Sequence, residues 1–215
     1  MKEFVIVGLV RKFFNQTRKP EGFLGRLMLS GMSFGHASVA DWAMSLLNIP
    51  EPLEIVELGC GNGRDAGELL KKYPGSKVTA VDYSPLSVER TKRTNKKMLE
   101  AGRIKVLNDD VSNLKLEHEK FDLATAFETI YFWPGLERCF ENVKKILKPG
   151  GRFMVVMESN GQDKIIQWFK KRIDGMNTYS EEEIEKALRA AGFSKIEANH
   201  KKSIGATWLM LLAEK

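Results

Sequence analysis

Glu57, Gly59, Gly61 and Gly63 occupy every second position of the stretch "ELGCGNG", directly behind an apolar run that starts at Leu53. Gly59 and Gly61 present no side chain, so main-chain atoms can come against a ligand, and Gly63 eases entry into a following helix. The helix N-terminus behind such a turn favours a negative group. Asp82 follows about twenty residues later, where a carboxylate can accept both hydroxyls of a ribose. Turn and acid together point to a nucleoside-bearing ligand. "NDDVSNL" then places Asp109 and Asp110 on a third segment, where an acid suits an adenine amine and repels phosphates.

NAD and S-adenosylmethionine both carry such a nucleoside. The E-x-G-x-G-x-G spacing differs from the G-x-G-x-x-G turn that cradles a pyrophosphate, and with the acidic third segment it favours S-adenosylmethionine. Methyl transfer from a sulfonium is an in-line displacement, so a protein must align the nucleophile, exclude water and, where necessary, remove a proton. Candidate bases are His36, Glu128, Tyr131 and Glu158. Glu128 and Tyr131, three residues apart, can share a face and act on an acceptor. Tyr131, Phe132 and Trp133 offer either an aromatic wall for a cationic sulfur or a hydrophobic plug. Three scattered histidines and two distant cysteines show no metal-ligand spacing, so no metal is expected.

These groups need a scaffold. Short apolar runs at Leu53–Leu58, Lys77–Val81, Ile104–Leu107, Phe121–Phe127 and Arg152–Met157 alternate with helical patterns near 64–73, 85–101 and 136–147. Such alternation predicts an α/β fold, a parallel sheet with right-handed crossovers and helices on both faces. Ser84 can cap a helix that has Pro85 at its first position. "KPGG" at 148–151 reads as a turn. Ser180 and Glu183 form a capping box for a helix that Gly192 can end, and two strand-like runs follow, near 193–200 and 206–213. Before residue 50, Val39, Trp42, Ala43, Leu46 and Leu47 fall at helical spacing behind a Ser38–Asp41 capping box, with Pro50 and Pro52 as stops. Residues 1–50 are therefore expected to be a helical cover over the sheet's working edge, with His36 at its mouth, and 51–215 the ligand-binding domain of the same unit.

Taken in order, Glu57–Gly63, Asp82, "NDDVSNL", "FDLATAFETIYF" and "LKPGGRF" resemble the successive motifs of class I S-adenosylmethionine-dependent methyltransferases over roughly residues 53–213. The resemblance implies a Rossmann-like, seven-stranded, mostly parallel sheet whose seventh strand is inserted antiparallel beside the fifth. It implies that the glycine turn, with Glu57, Gly59 and Gly61, holds the methionine half of the cofactor. Asp82 would take the ribose hydroxyls and Tyr83 would lie against adenine. Asp110 and Val111 would hold the adenine edge by a carboxylate and a backbone N–H, and Phe127 would offer its carbonyl to the methionine ammonium.

With 215 residues the chain suits one sizeable domain. Two cysteines, Cys60 and Cys139, argue against a disulfide framework and for a reducing cytosol. The net charge of +6 is mild, and the cluster Arg90, Lys92, Arg93, Lys96 and Lys97 lacks interleaved aromatics, so a solvated helix face is favoured over nucleic-acid binding. The apolar run in "MKEFVIVGLVRKFF" is far shorter than the ~20 residues of a membrane span; it reads as a terminal helix or strand, with a surface-lying amphipathic anchor as the alternative. "FETIYF" does not resemble the N/D-P-P-Y/F motif of enzymes that methylate nucleic-acid amines. The expectation is a cytoplasmic methyltransferase acting on a small molecule, its oligomeric state open. The rival readings are a non-catalytic S-adenosylmethionine-binding protein and an NAD(P)-dependent oxidoreductase.

Overall fold

The computed structural model describes residues 36–215 together with Gly22. Seven strands form one sheet: β1 (Glu54–Leu58), β2 (Lys77–Asp82), β3 (Ile104–Asn108), β4 (Phe121–Phe127), β5 (Leu147–Met157), β6 (Ser194–Ser203) and β7 (Ala206–Glu214), in the order β3-β2-β1-β4-β5-β7-β6. Strands β1 to β5 pair in parallel, and β7 runs antiparallel to both of its neighbours, β5 and β6. This is the expected Rossmann-like sheet. Strand order reverses between β1 and β4, so the rim beyond their carboxyl ends is where such sheets place ligands.

Helices cover both faces. They are α1, helical across 36–46, α2 (Arg64–Lys72), α3 (Pro85–Thr94), α4 (Lys96–Glu100), α5 (Leu136–Ile146), α6 (Lys164–Lys170) and α7 (Glu181–Ala190). Successive strand side chains point to opposite faces, and β5 shows the result. Phe153, Val155 and Met157 enter the core under α5 and α7, whereas Met154 and Val156 enter the core under α1 and α2.

The local signals at Ser84 and Ser180 appear as read. Ser84 Oγ accepts from Ser87 N at 3.4 Å with Pro85 at the first turn, and the Ser180–Glu183 box is closed in both directions. Three expectations are corrected. Leu147–Gly151 is part of β5, with a register shift against β4 between Phe121 and Leu123. Helix 85–101 breaks at Asn95, whose amide turns back to donate to Gly63 O (2.7 Å) and Thr91 O (3.2 Å). Ser38 lies inside α1 and no capping box forms, because helix already runs from 36 and Asp41 is engaged by Arg64.

The buried face of α1 is rotated from the expected one. Val39, Ala40, Ala43, Met44 and Leu47 pack into the sheet core, Trp42 lies 6.0 Å from Trp208, and Leu46 is 43% exposed. Leu47→Ala should therefore cost about 2–4 kcal/mol, and Leu46→Ala within about 0.5 kcal/mol. Urea midpoints of the two variants check this, and equal losses would disprove the rotated face. The remainder of the expected cover lies outside the described residues. Among the described residues no helix is long and apolar enough to cross a membrane.

Candidate active site

At the carboxyl end of β1 the chain turns back on β2: Gly59 N and Cys60 N both donate to Val81 O, at 2.8 and 3.0 Å. Each glycine of the turn has its own reason. A Cβ on Gly59 (φ +87°) would lie 2.3 Å from Thr129 Cγ2, so this position is small to admit the β4 loop. Gly63 (φ +80°) precedes α2 and is walled by Thr91 and Asn95. Gly61 (φ +54°) has no atom within 4 Å of its missing Cβ and lines a cavity of about 260 Å³. The close approach to a ligand falls to Gly61.

Asp82 ends β2 and ties this turn down. Its Oδ2 accepts from Gly61 N and its Oδ1 from Ser84 N, both at 2.9 Å, and it lines the cavity. Burial pushes its carboxyl above the usual range, against the pull of these N–H donors. The Ser87 side chain is a third donor to it, and a carboxylate has acceptor capacity beyond three bonds for a ligand hydroxyl. Tyr83, Asp109, Asp110, Val111 and Phe127 line the same cavity. Asp109 mainly shapes its loop, accepting from Asp110 N and Lys115 N, and Asp110 Oδ1 accepts from Ser112 N at 2.8 Å. Glu57 stands apart from the other expected residues. It lies behind the turn and off the cavity wall, its Oε2 without a hydrogen-bond partner among the described residues. Burial first, then the charges of Asp65 and Asp82, push it well above the carboxylate range.

Across the cavity a second group assembles from α1 and the ends of β4 and β5. His36 Nδ1 donates to Glu158 Oε2 at 2.9 Å and lies 3.8 Å from Glu128 Oε2. Glu128, at φ +56°, turns inward and its Oε1 accepts from the Glu158 backbone N–H. Burial raises Glu128 to about 7, with the nearby His36 working against that rise. For His36, burial opposes the charge, but the Glu158 hydrogen bond and the charges of Glu128, Glu158 and Asp65 outweigh it, so its pKa is raised. Tyr131 is placed differently from expectation. It does not line the cavity; its hydroxyl is buried close to Glu128, and burial followed by the Glu128 charge pushes the phenol well above its usual range.

One atom each from His36, Glu128 and Glu158 lies within 4.8 Å of the others, a spacing that could hold a metal ion. Sequence spacing gave no sign of it, since the three residues come from α1, β4 and β5. In the structure His36 is hydrogen-bonded to the Glu158 side chain, and Glu128 accepts from the Glu158 backbone N–H. Arg64 and Asp65, also on the wall, were missed. Arg64 bridges Asp41 of α1 (2.6 and 2.7 Å) and Asp65 (2.6 Å). Their acidic neighbour Asp41, twenty-three places before Arg64 in "VADW", gives no readable signal.

Residues 55–151 match the family described as the methyltransferase domain. This segment is similar to class I methyltransferase domains. Among curated proteins, the sterol 4-C-methyltransferase of Caenorhabditis elegans is 27% identical over 148 residues, covering 67% of this chain and 42% of that protein. The sterol 24-C-methyltransferase of Candida albicans is 28% identical over 156 residues, covering 68% of this chain and 41% of that protein. The chain thus spans about two-fifths of the length of the curated relatives it matches. Among solved structures, geranyl diphosphate C-methyltransferase from Streptomyces coelicolor, in complex with Mg2+, geranyl diphosphate and S-adenosyl-L-homocysteine, aligns with TM-score 0.67 at 15% identity, over 83% of this chain and 80% of that one. At that identity the likeness speaks for the methyltransferase fold. In this chain the glycine turn, Asp82 and the His36–Glu128–Glu158 group share one rim.

Proposed function

We propose that the protein is a cytoplasmic S-adenosylmethionine-dependent methyltransferase acting on a small molecule. The observation that carries this reading is the glycine turn clamped to Asp82, facing a proton-transfer group across one cavity. Residues 1–50 and 51–215 act as one unit, the N-terminal part supplying His36. The two free, buried cysteines suit a reducing compartment.

The residues present fit the cofactor. Gly61 leaves open space where main chain can approach it, Asp82 offers acceptors for ribose hydroxyls, and Tyr83, Asp110 and Val111 border the place for adenine. Gly59 and the Phe127 carbonyl border the methionine end, and Glu57 supports the turn from behind. Bound S-adenosylmethionine supplies an electrophilic methyl group. Glu128 accepts a proton from the acceptor, and Glu158 orients the His36 ring. Phe132 and Trp133 border the acceptor's side of the cavity and exclude water.

Calorimetry with S-adenosylmethionine and with NAD tests the ligand, and incubation with methyl-labelled cofactor and fractionated cell extract tests the reaction. Binding of NAD alone would make the protein an oxidoreductase candidate, and cofactor binding without any labelled product would leave a non-catalytic binder. Asp82→Ala should weaken S-adenosylmethionine binding at least about tenfold, because charge-assisted hydrogen bonds of ~1.5–3 kcal/mol each are lost. The variant also frees Gly61 N, so circular dichroism must show an intact fold. Unchanged affinity in a folded variant would remove Asp82 from the site.

A further inference from the structure

Resting on the methyltransferase reading, we infer that the acceptor is an amine, drawn in as its ammonium by Glu128 and methylated on nitrogen. The charges on the cavity wall are unequal. Asp65, Asp82, Asp109, Asp110 and Glu128 face it, against Arg64 and His36, and with Asp82, Asp109 and Asp110 on the cofactor's side, Asp65 and Glu128 are the acids left to the acceptor. Both cations are already committed: Arg64 to Asp41 and Asp65, and His36 to Glu158. Among the described residues lining the cavity, no cation is left to receive a carboxylate or phosphate on the acceptor, and either group would meet like charge.

Glu128 adds a positive reason. Its side chain is only 9% exposed, and a desolvated carboxylate is costly unless it is paired and hydrogen-bonded. Its neighbour His36 stands 3.8 Å away and is hydrogen-bonded to Glu158 instead. An ammonium supplies both charge and several N–H donors to the Glu128 carboxylate. A hydroxyl brings one donor and no charge, and an alkene brings neither. Glu128 titrating at about 7 can then take the ammonium proton, exposing the nitrogen lone pair. The N–C bond forms as the methyl C–S bond breaks, its electron pair returning to sulfur, and the product leaves as the N-methylammonium.

The test uses the full chain and three isosteric probes: phenethylamine, phenethyl alcohol and phenylacetate. Affinity is measured by calorimetry with and without S-adenosylhomocysteine, and methyl transfer with labelled S-adenosylmethionine. Phenethylamine should bind at least about tenfold more tightly than the alcohol, the carboxylate more weakly still, and labelled methyl should appear on nitrogen. Glu128→Gln should erase most of the amine preference. Equal, inverted or absent amine binding overturns the inference, as does label transferred to oxygen in preference to nitrogen. Failure of S-adenosylmethionine to bind would instead refute the methyltransferase reading, and the amine preference of the unloaded chain would still be read.

Discussion

Glu128→Gln should lower turnover by about 10²–10⁴-fold, the usual share of a positioned base, while S-adenosylmethionine affinity stays within a few-fold. The amide keeps an oxygen to accept from the Glu158 N–H, so the loop at φ +56° retains its anchor. What is lost is the negative charge and, with it, the capacity to take a proton. That capacity belongs to the ionised carboxylate, and Glu128 titrates at about 7. In the unsubstituted chain kcat/KM should therefore rise with pH through about 7, the protonated acid below that point being inactive, and the variant should lose this limb. The charge that His36 carries when protonated holds the Glu128 value down, so His36→Gln should move the limb to higher pH. Because the two groups interact, the midpoint belongs to the pair. A pH profile unchanged in Glu128→Gln would disqualify it as the base.

Gly59→Ala and Gly61→Ala should separate folding from binding at neighbouring positions. Both force a side chain into the left-handed region, costing about 1–2 kcal/mol. At Gly59 the new Cβ also meets Thr129 at 2.3 Å, and overpacking adds about 1–3 kcal/mol. Gly59→Ala should thus lose about 2–5 kcal/mol, or roughly 4–20 °C in Tm for a chain of this size. Gly61→Ala meets nothing within 4 Å, so its Tm should fall by only about 2–8 °C. Its methyl group instead projects where the cofactor backbone contact is proposed, and S-adenosylmethionine affinity should drop. Thermal scans and calorimetry on both variants decide the matter; a stable Gly59→Ala, or a Gly61→Ala with full affinity, would contradict these separate roles.

The glycine case also marks what was legible in the sequence. Strand runs with apolar side chains and helices with caps announced the sheet, because period and capping are local properties. Gly59 and Gly61 looked equivalent on paper, and only the approach of Thr129, seventy residues later, divides them. The α1 face follows the same logic: Leu46 and Met44 are both apolar, and Met44 is the one that joins a core built from residues far along the chain. Asp82 was readable from its distance to the turn, whereas its hold on Gly61 N was not. Glu128 and His36 were readable as titratable residues near strand ends or helix mouths. Their meeting with Glu158 required three elements to converge, and no spacing along the chain encodes that.

The position of β7 has a consequence for synthesis. It follows every other strand in the chain, yet sits between β5 and β6, and its Trp208 meets Trp42 from α1, a residue made 166 positions earlier. A ribosome delivering roughly 5–20 residues per second releases α1 and the first five strands well before their partner exists. During that interval the edge of β5, later covered along Arg152–Met157, stands open with its row of unpaired amides, the kind of edge on which chains aggregate. β6 cannot relieve it, because β6 reaches the sheet only through β7. The nascent chain therefore meets its greatest hazard late, and a stall anywhere before residue 206 would leave a largely apolar half-sheet in need of a chaperone.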